Sequence, residues 1–252
     1  MSAPLTRRAD LVRDQLADGA RRQPGAATPV RLGVSGSGAD LLVLVWSAAD
    51  LARERAAGTR LLARLGVAPG MRVANTLSGA LATPGSLLLG DVVEELGALD
   101  VPLGVIDGAP AARDAWELVD RVRPDVMVLD DPSATPFLAA PPAADRPWWR
   151  GIVWLREGAR AVRPTVPAAA GFGGWHREWL AVPEATSFVA GTCAAARFHL
   201  DEGVVAEVAE GMLVLTPLGF EASLERYVSE VPARIDPGPC PCGVGGPVIV
   251  VS

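Results

Sequence analysis

Strand-like and helix-like segments alternate through the middle of the chain, and this alternation constrains the fold more than any other feature of the sequence. Such alternation is typical of a mostly parallel sheet layered with helices. We therefore predict an α/β fold. The segments follow in the order strand, helix, strand, helix, strand at residues 71–77, 86–96, 101–106, 111–122 and 125–129.

The residues before this region predict a surface helix over 3–22, which ends near Gly25, and then two short strands at 29–34 and 41–46. A loop rich in glycine and serine joins the two strands. Ser47 follows the second strand and has the sequence pattern of a helix N-cap, so we expect a helix that begins there.

The residues after 187 have a different character, because short strands predominate there. Between the two regions, residues 132–183 are irregular, and their GFGGWHREW segment is typical of a surface loop with anchoring tryptophans. We predict one continuous body with an α/β core that carries the glycine loop (1–186) and a β-rich zinc-knuckle subdomain (187–252). The predicted strands of the second part are 187–192, 204–208, 212–216 and 248–251.

Charge and hydropathy exclude several classes of partner. The chain has 29 acidic and 23 basic residues, which argues against binding to a nucleic-acid backbone. The apolar run at 41–46 is far shorter than the roughly 20 residues of a membrane-spanning helix. The polar first residues do not resemble a secretion signal, so we expect a cytoplasmic protein with no membrane partner. Every basic residue is arginine, which excludes any mechanism that needs a lysine of this chain.

All three cysteines and one of the two histidines lie in the last quarter of the chain. Cys193, His199, Cys240 and Cys242 together offer the ligand count of a closed structural zinc site. The spacing alone also allows a second interpretation, in which Cys193 and His199 are ordinary buried residues and the Cys-Pro-Cys segment is a redox-labile turn. Four protein ligands would leave no position for a catalytic water.

The glycine loop also has two interpretations. Its backbone amides could hold a phosphate group, with the hydroxyls of Ser35 and Ser37 as further donors beside Gly36 and Gly38. Alternatively, it is a tight hairpin turn in which the glycines adopt positive φ, and the residues taken alone favour this turn.

The order of these motifs resembles the phenylacetate-CoA ligase family of the adenylate-forming (acyl-activating) superfamily. The similarity extends in unbroken order over residues 28–247, which is more specific than any single motif. TPVRLGVSGSGAD lies where that family has its phosphate loop, and LLLGDVVEELGALDVPLG resembles its glycine-rich helix and following strand. TCAAARFHLDEGVVAEV, EGMLVLTPLGFEASLERYVSEV and PGPCPCG are similar to its C-terminal motifs.

The resemblance implies structural zinc at the three cysteines and His199. It also implies that the phosphate loop lacks the family's threonines and lysine, and that Glu184 alone survives from the motif that contacts adenine and magnesium. Where the family has a ribose-binding motif, this chain has Arg226 with Tyr227, and Glu230 is the nearest substitute for the missing aspartate. Most of the family's N-terminal region and its mobile C-terminal domain, which carries a catalytic lysine, are missing.

Three functions are consistent with these residues. In the first, the remaining core binds ATP or AMP with magnesium and activates a small carboxylic acid, with Ser35, Ser37 and Gly38 on phosphate and Glu184 on magnesium. In the second, the chain has lost this chemistry and acts as a binding or scaffold component that associates with a protein partner or with itself.

The third hypothesis is a small-molecule enzyme that uses the old acyl pocket for different chemistry. It needs a new base, for which His176 is the candidate. A histidine beside Trp175 and Trp179 is more often structural, however.

Overall fold

A computed structural model describes residues 3–19, 28–79, 83–139, 141–157, 165–221 and 224–251. The α-helices of these residues are α1 (Arg8–Asp18), α2 (Ala48–Leu65), α3 (Ser86–Glu95), α4 (Gly108–Val122) and α5 (Asp131–Ala139). The strands are β1 (Thr6–Arg7), β2 (Arg31–Ser35), β3 (Leu42–Trp46), β4 (Arg72–Asn75), β5 (Leu99–Pro102), β6 (Val126–Leu129), β7 (Gly151–Glu157), β8 (Trp175–Val182), β9 (Thr186–Thr192), β10 (Phe198–Leu200), β11 (Val204–Ala209), β12 (Met212–Pro217), β13 (Tyr227–Asp236) and β14 (Val248–Val251). Short 3-10 helices span Gly38–Asp40 and Ala168–Ala170.

Twelve of the strands in the described residues form one sheet. Its order is β11-β12-β13-β14-β10-β9-β8-β7-β6-β4-β5, and β1 pairs with β13. Pairing is parallel from β5 to β8 and antiparallel from β8 to β11, apart from the parallel pair of β1 and β13. The α/β prediction with a β-rich C-terminal portion is thus confirmed. The change from parallel to antiparallel pairing falls at β9, next to the predicted boundary at residue 186, and the division into two parts stays a prediction.

Helices cover both faces of the parallel half of the sheet. On one face, leucines and valines of α2 and α3 pack against strand residues such as Val128 and Val153. On the other face, α4 and α5 pack aromatic side chains, including Trp116 and Phe137, against Met127. Strands buried on both faces consist of nearly continuous apolar residues, which explains why the sequence pattern indicated β6 within one residue of its observed bounds.

Helix α2 begins at the predicted N-cap. Its N-cap Ser47 accepts a hydrogen bond from the backbone of Asp50, whose carboxylate in turn accepts one from the Ser47 backbone. Gly66 follows the helix with φ of 101°, a left-handed conformation that favours glycine. The predicted helix at 3–22 is shorter, since α1 ends at Asp18, and Gly25 lies outside the described residues.

The GFGGWHREW segment is a strand over most of its length, so the surface-loop prediction for it is wrong. Trp175 starts β8 and lies opposite Gly151 of β7, where an added Cβ would come within 2.3 Å of the indole ring. Trp179 is fully buried, stacks on Phe188, and donates a hydrogen bond from Nε1 to the Ser187 carbonyl at 2.7 Å. Gly151 of the neighbouring strand thus leaves room for a large ring on one face of the sheet.

Gly58 sets how closely α2 approaches its neighbours. A Cβ at this position would lie 2.6 Å from Val92 of α3 and 2.7 Å from Phe188 of β9. We expect Gly58→Ala to lower the free energy of unfolding by about 1 to 3 kcal/mol, because overpacking forces shifts in a dense core. Urea denaturation measures the change. Gly173→Ala is the control, since nothing lies within 4 Å of its added Cβ; equal effects of the two substitutions would contradict the packing argument.

Candidate functional site

Acidic residues gather where the parallel strands of the sheet end. Asp130 follows β6, Glu157 is the last residue of β7, and Glu184 follows β8. Because the carboxyl ends of parallel strands meet at one edge, where ligands of α/β proteins usually bind, this edge is the first candidate site. Desolvation of the carboxyl by the surrounding residues, followed by the charges of Asp130 and Glu184, raises the pKa of Glu157 to about 7.

The glycine loop between β2 and β3 reaches this edge, and it brings two predicted site residues together. Ser35 Oγ donates a hydrogen bond to Glu184 Oε1 at 2.5 Å. Both residues also contact Arg8 of α1, which forms an ion pair with Glu184. The Glu184 side chain is 6% exposed and that of Arg8 is 18% exposed, so this ion pair lies well inside the protein.

Arg8 uses its guanidinium to bind the glycine loop itself. Nη1 donates to Ser35 Oγ at 3.2 Å, and Nη2 donates to the carbonyl oxygens of Ser35 at 2.8 Å and of Asp40 at 2.5 Å. The loop therefore presents carbonyl oxygens toward a cation. A phosphate cradle needs the reverse, because its backbone N–H groups must point at the anion.

The glycines of the loop serve the hairpin and the arginine. Gly36 has φ of 73°, and a Cβ there would lie 2.3 Å from Arg8 Nη2. Gly38 has φ of 58° and starts the short 3-10 helix, while Ser37 is its N-cap, and both are exposed. The turn interpretation thus describes the loop's backbone.

The residues predicted for ribose are divided between two environments. Tyr227 is buried beside Glu184 and Arg8, and burial together with the Glu184 charge raises its pKa above the usual value. Arg226 has φ of 49°, and its side chain donates to Glu207 at 2.6 Å and to the carbonyl of Ala3 at 2.5 Å.

The charge of Glu230 also contributes to the raised pKa of Tyr227, after burial and the charge of Glu184, whereas His176 lies apart from this edge. Glu230 is exposed on β13. His176 is at the start of β8, and its ring lies edge-on to Phe172 with a centroid distance of 5.0 Å. Six residues of strand, about 20 Å, separate it from the end of β8 that leads to Glu184. The described structure therefore does not bring the proposed base to the candidate site.

The second candidate site is the cysteine and histidine cluster. It lies at the C-terminal end of β9, whereas Glu184 of the first site precedes the start of this strand. Cys193 follows β9, His199 lies on β10, and Cys240 and Cys242 flank a turn before β14. Their ligand atoms all lie within 4.8 Å of one another. Cys193 Sγ is 3.6 Å from Cys240 Sγ, and His199 Nε2 is 3.3 Å from Cys242 Sγ.

The donor set of this cluster fits zinc. A tetrahedral ion with Zn–S bonds of about 2.3 Å places its sulfurs about 3.8 Å apart, close to the observed 3.6 Å. Burial, and then the positive charge of Arg64, lowers the pKa of His199, which favours the neutral form of the imidazole that binds metals. Its Nδ1 is buried and has no hydrogen-bond partner among the described residues, so Nε2 alone anchors the ring, at Cys242.

Magnesium with ATP or AMP does not fit the first site as it stands. Glu184, the expected magnesium ligand, is already paired with the positive charge of Arg8. The glycine loop directs carbonyl oxygens rather than N–H groups at this site, and the chain contains no lysine to bind phosphate. Sequence reasoning missed Arg8, because nothing in the local pattern links it to a carboxylate 176 residues away. Glu157 could have been found, since it closes a buried apolar strand.

Solved structures of CoA ligases have this fold. An open conformation of 2-hydroxyisobutyryl-CoA ligase, in complex with 2-HIB-AMP and CoA, matches 98% of this chain with a TM-score of 0.81 and 16% identity. The N-terminal domain of FACL13 from Mycobacterium tuberculosis matches 97% with a TM-score of 0.63 and 12% identity. A benzoate CoA ligase from Burkholderia xenovorans matches 80% with a TM-score of 0.53 and 16% identity.

The chain spans only part of these proteins, at 62%, 66% and 42% of their respective lengths. No protein-family model matches the sequence, and no curated protein matches it. At these identities the likeness concerns the fold, which is that of the adenylate-forming acyl-CoA ligases. Within the described residues, every helix is too short or too polar to cross a bilayer.

Proposed function

We propose that this chain no longer performs CoA ligation by itself and acts as a binding or partner-dependent component in the activation of a small carboxylic acid. The observation that carries the proposal is the Arg8–Glu184 ion pair, supported by the hydrogen bond of Ser35 to the same carboxylate. Glu184 and Ser35 are residues that the adenylating hypothesis assigns to magnesium and to phosphate, respectively. Their mutual bonds occupy the groups that a magnesium nucleotide needs.

The charge balance of the site supports the same proposal. Adenylation develops negative charge on phosphate, and a positioned cation that stabilises it contributes several kcal/mol. The chain has no lysine, and Arg8 already has four acceptor oxygens around its guanidinium. A partner that supplies a cationic group would remove this deficiency. Two solved structures of 2-hydroxyisobutyryl-CoA ligase with this fold contain 2-HIB-AMP, which supports a small acyl group as the ligand class.

Zinc has a structural role in this proposal. Its four ligands join the end of β9, the middle of β10 and the turn before β14, so the ion would fix the C-terminal strands to one another. With three cysteines and one histidine the coordination is complete, and the metal would not activate water. The cluster thus explains why metal ligands remain in a chain whose nucleotide ligands have changed.

Exposed apolar side chains support a protein partner or self-association. Four of them lie on or next to the hairpin of β2 and β3 and helix α1: Leu16, Val30, Leu32 and Leu41, with exposures of 82%, 60%, 46% and 42%. Gln15 holds α1 against β3 through two hydrogen bonds to the backbone of Val43. Apolar surface of this kind is common at protein interfaces.

Calorimetry of the purified chain against ATP and AMP with magnesium tests the proposal. We expect no binding heat at nucleotide concentrations near 1 mM, the upper end of ordinary enzyme affinities, and no pyrophosphate release with aryl or fatty acids. Nucleotide binding accompanied by pyrophosphate release would overturn the proposal and establish a minimal adenylating enzyme. A complete CoA ligase assayed in parallel verifies the reagents.

A further inference from the structure

The residues before α1 are fixed across the candidate site as an additional strand. Residues 3–8, here called the strap, include β1, which pairs in parallel with β13. Thr6 donates from its backbone N–H to the Arg226 carbonyl at 3.1 Å and from Oγ1 to the Glu225 carbonyl at 3.3 Å. Arg226 returns a bond to the Ala3 carbonyl at 2.5 Å. The strap therefore lies against the segment that resembles a ribose-binding motif.

Four oxygen atoms surround the guanidinium at the end of the strap. They are Glu184 Oε1, the Ser35 hydroxyl, the Ser35 carbonyl and the Asp40 carbonyl, here called the oxygen cradle. Carboxylate, hydroxyl and carbonyl oxygens are the ligands that hard divalent cations prefer. Gly36 leaves the space for the guanidinium, since a Cβ there would lie 2.3 Å from Arg8 Nη2.

We propose that the strap is a built-in occupant of the oxygen cradle and that Arg8 and a divalent cation bind there in mutual exclusion. The two cannot coexist, because they would use the same four oxygens and would repel each other at contact distance. Strand pairing holds Arg8 at high effective concentration, so the closed state dominates. The inference rests on the proposed function in that it explains how the site is kept closed.

Removal of the Arg8 side chain tests this competition. We expect zinc-loaded Arg8→Ala to bind Mn²⁺, followed by electron paramagnetic resonance, at least about tenfold more tightly than the unaltered protein. Arg13→Ala is the matched control, because Arg13 lies on the same helix but pairs at the surface with Asp10. The double variant Arg8→Ala/Glu184→Gln should lose the gained affinity, which assigns the Mn²⁺ to the cradle.

A second variant tests the strap without altering the cradle. Thr6→Pro removes the N–H donor to Arg226 and leaves Arg8 in place, so the strap should detach more often and Mn²⁺ affinity should rise. Circular dichroism and thermal unfolding establish whether each variant is folded. If Arg8→Ala does not fold, the Mn²⁺ affinity of Thr6→Pro decides between the two outcomes. Folded variants with the Mn²⁺ affinity of the unaltered protein would overturn the proposal.

The two proposals fail separately in these experiments. If neither variant binds Mn²⁺ more tightly, the proposed competition between Arg8 and a divalent cation is wrong. The proposal that the chain does not perform CoA ligation by itself is not affected by that result. Pyrophosphate release by the unaltered chain removes the proposed function, whatever Mn²⁺ affinity the variants have.

Discussion

Cys240→Ser is expected to release the zinc that we propose for the cluster and to lower the free energy of unfolding by at least about 3 kcal/mol. Structural zinc contributes on the order of 10 kcal/mol to the folding of small zinc-binding peptides. We expect a smaller loss here because the hydrophobic cores of this chain also stabilise the fold. The loss should be large because Cys240 is buried against Cys193 and Val248, so the serine hydroxyl would be an unpaired polar group in an apolar cluster.

Two measurements check this expectation. Metal analysis of protein purified without chelator should give one zinc per chain, and urea unfolding should show the loss of stability. Val244→Ala is the control, since Val244 follows the turn, is 40% exposed, and contacts Cys242 Sγ through its backbone N–H, which the substitution keeps. Well under one zinc per chain in the unaltered protein would contradict the assignment.

Stability should fall as the pH rises through the range in which Glu54 ionises. Burial raises the pKa of Glu54 to about 7, against 4.5 for the ordinary side chain, although hydrogen bonds from Ser187 and Thr186 favour its charged form. Between these two values the folded state binds a proton that the unfolded state has lost. The contribution of Glu54 to stability is therefore complete below pH 4.5 and is lost progressively as the pH rises to about 7, with a total of about 3 kcal/mol.

Glu54→Gln isolates this effect. Because glutamine does not ionise, the stability difference between the variant and the unaltered protein should shift by about 3 kcal/mol in favour of the variant between pH 4.5 and pH 8. Urea denaturation at several pH values measures this change, and Glu95→Gln, at an exposed position on α3, is the control substitution. A constant difference across this range would show that Glu54 does not titrate between the two states.

The parallel half of the fold could be predicted because its strands are continuous apolar runs separated by amphipathic helices. Strand β8 could not, since the glycines and tryptophans of its GFGGWHREW segment usually indicate a loop. In the fold, Trp175 of this segment fills the space that Gly151 of β7 leaves. Helix α5 includes Pro136, which conceals its helical pattern. In each case packing between distant segments overrode the local signal.

The two candidate sites differ in how much the sequence could predict. Cysteine and histidine are rare here and chemically specific, so the four members of the cluster could be chosen before their distances were known. A glycine and serine loop has no such specificity, because one composition can present either N–H groups or carbonyls. Which of the two it presents depends on Arg8, and only the three-dimensional structure reveals that partner.

The position of β14 has a consequence for how the chain is synthesised. Of the described strands it comes last in the sequence, yet it lies in the interior of the sheet between β10 and β13. A nascent chain on the ribosome therefore exposes two unpaired strand edges until residues 248–251 have emerged. The C-terminal half of the sheet is thus completed only after the last of these residues leaves the exit tunnel, and until then those edges are open to pairing with other strands.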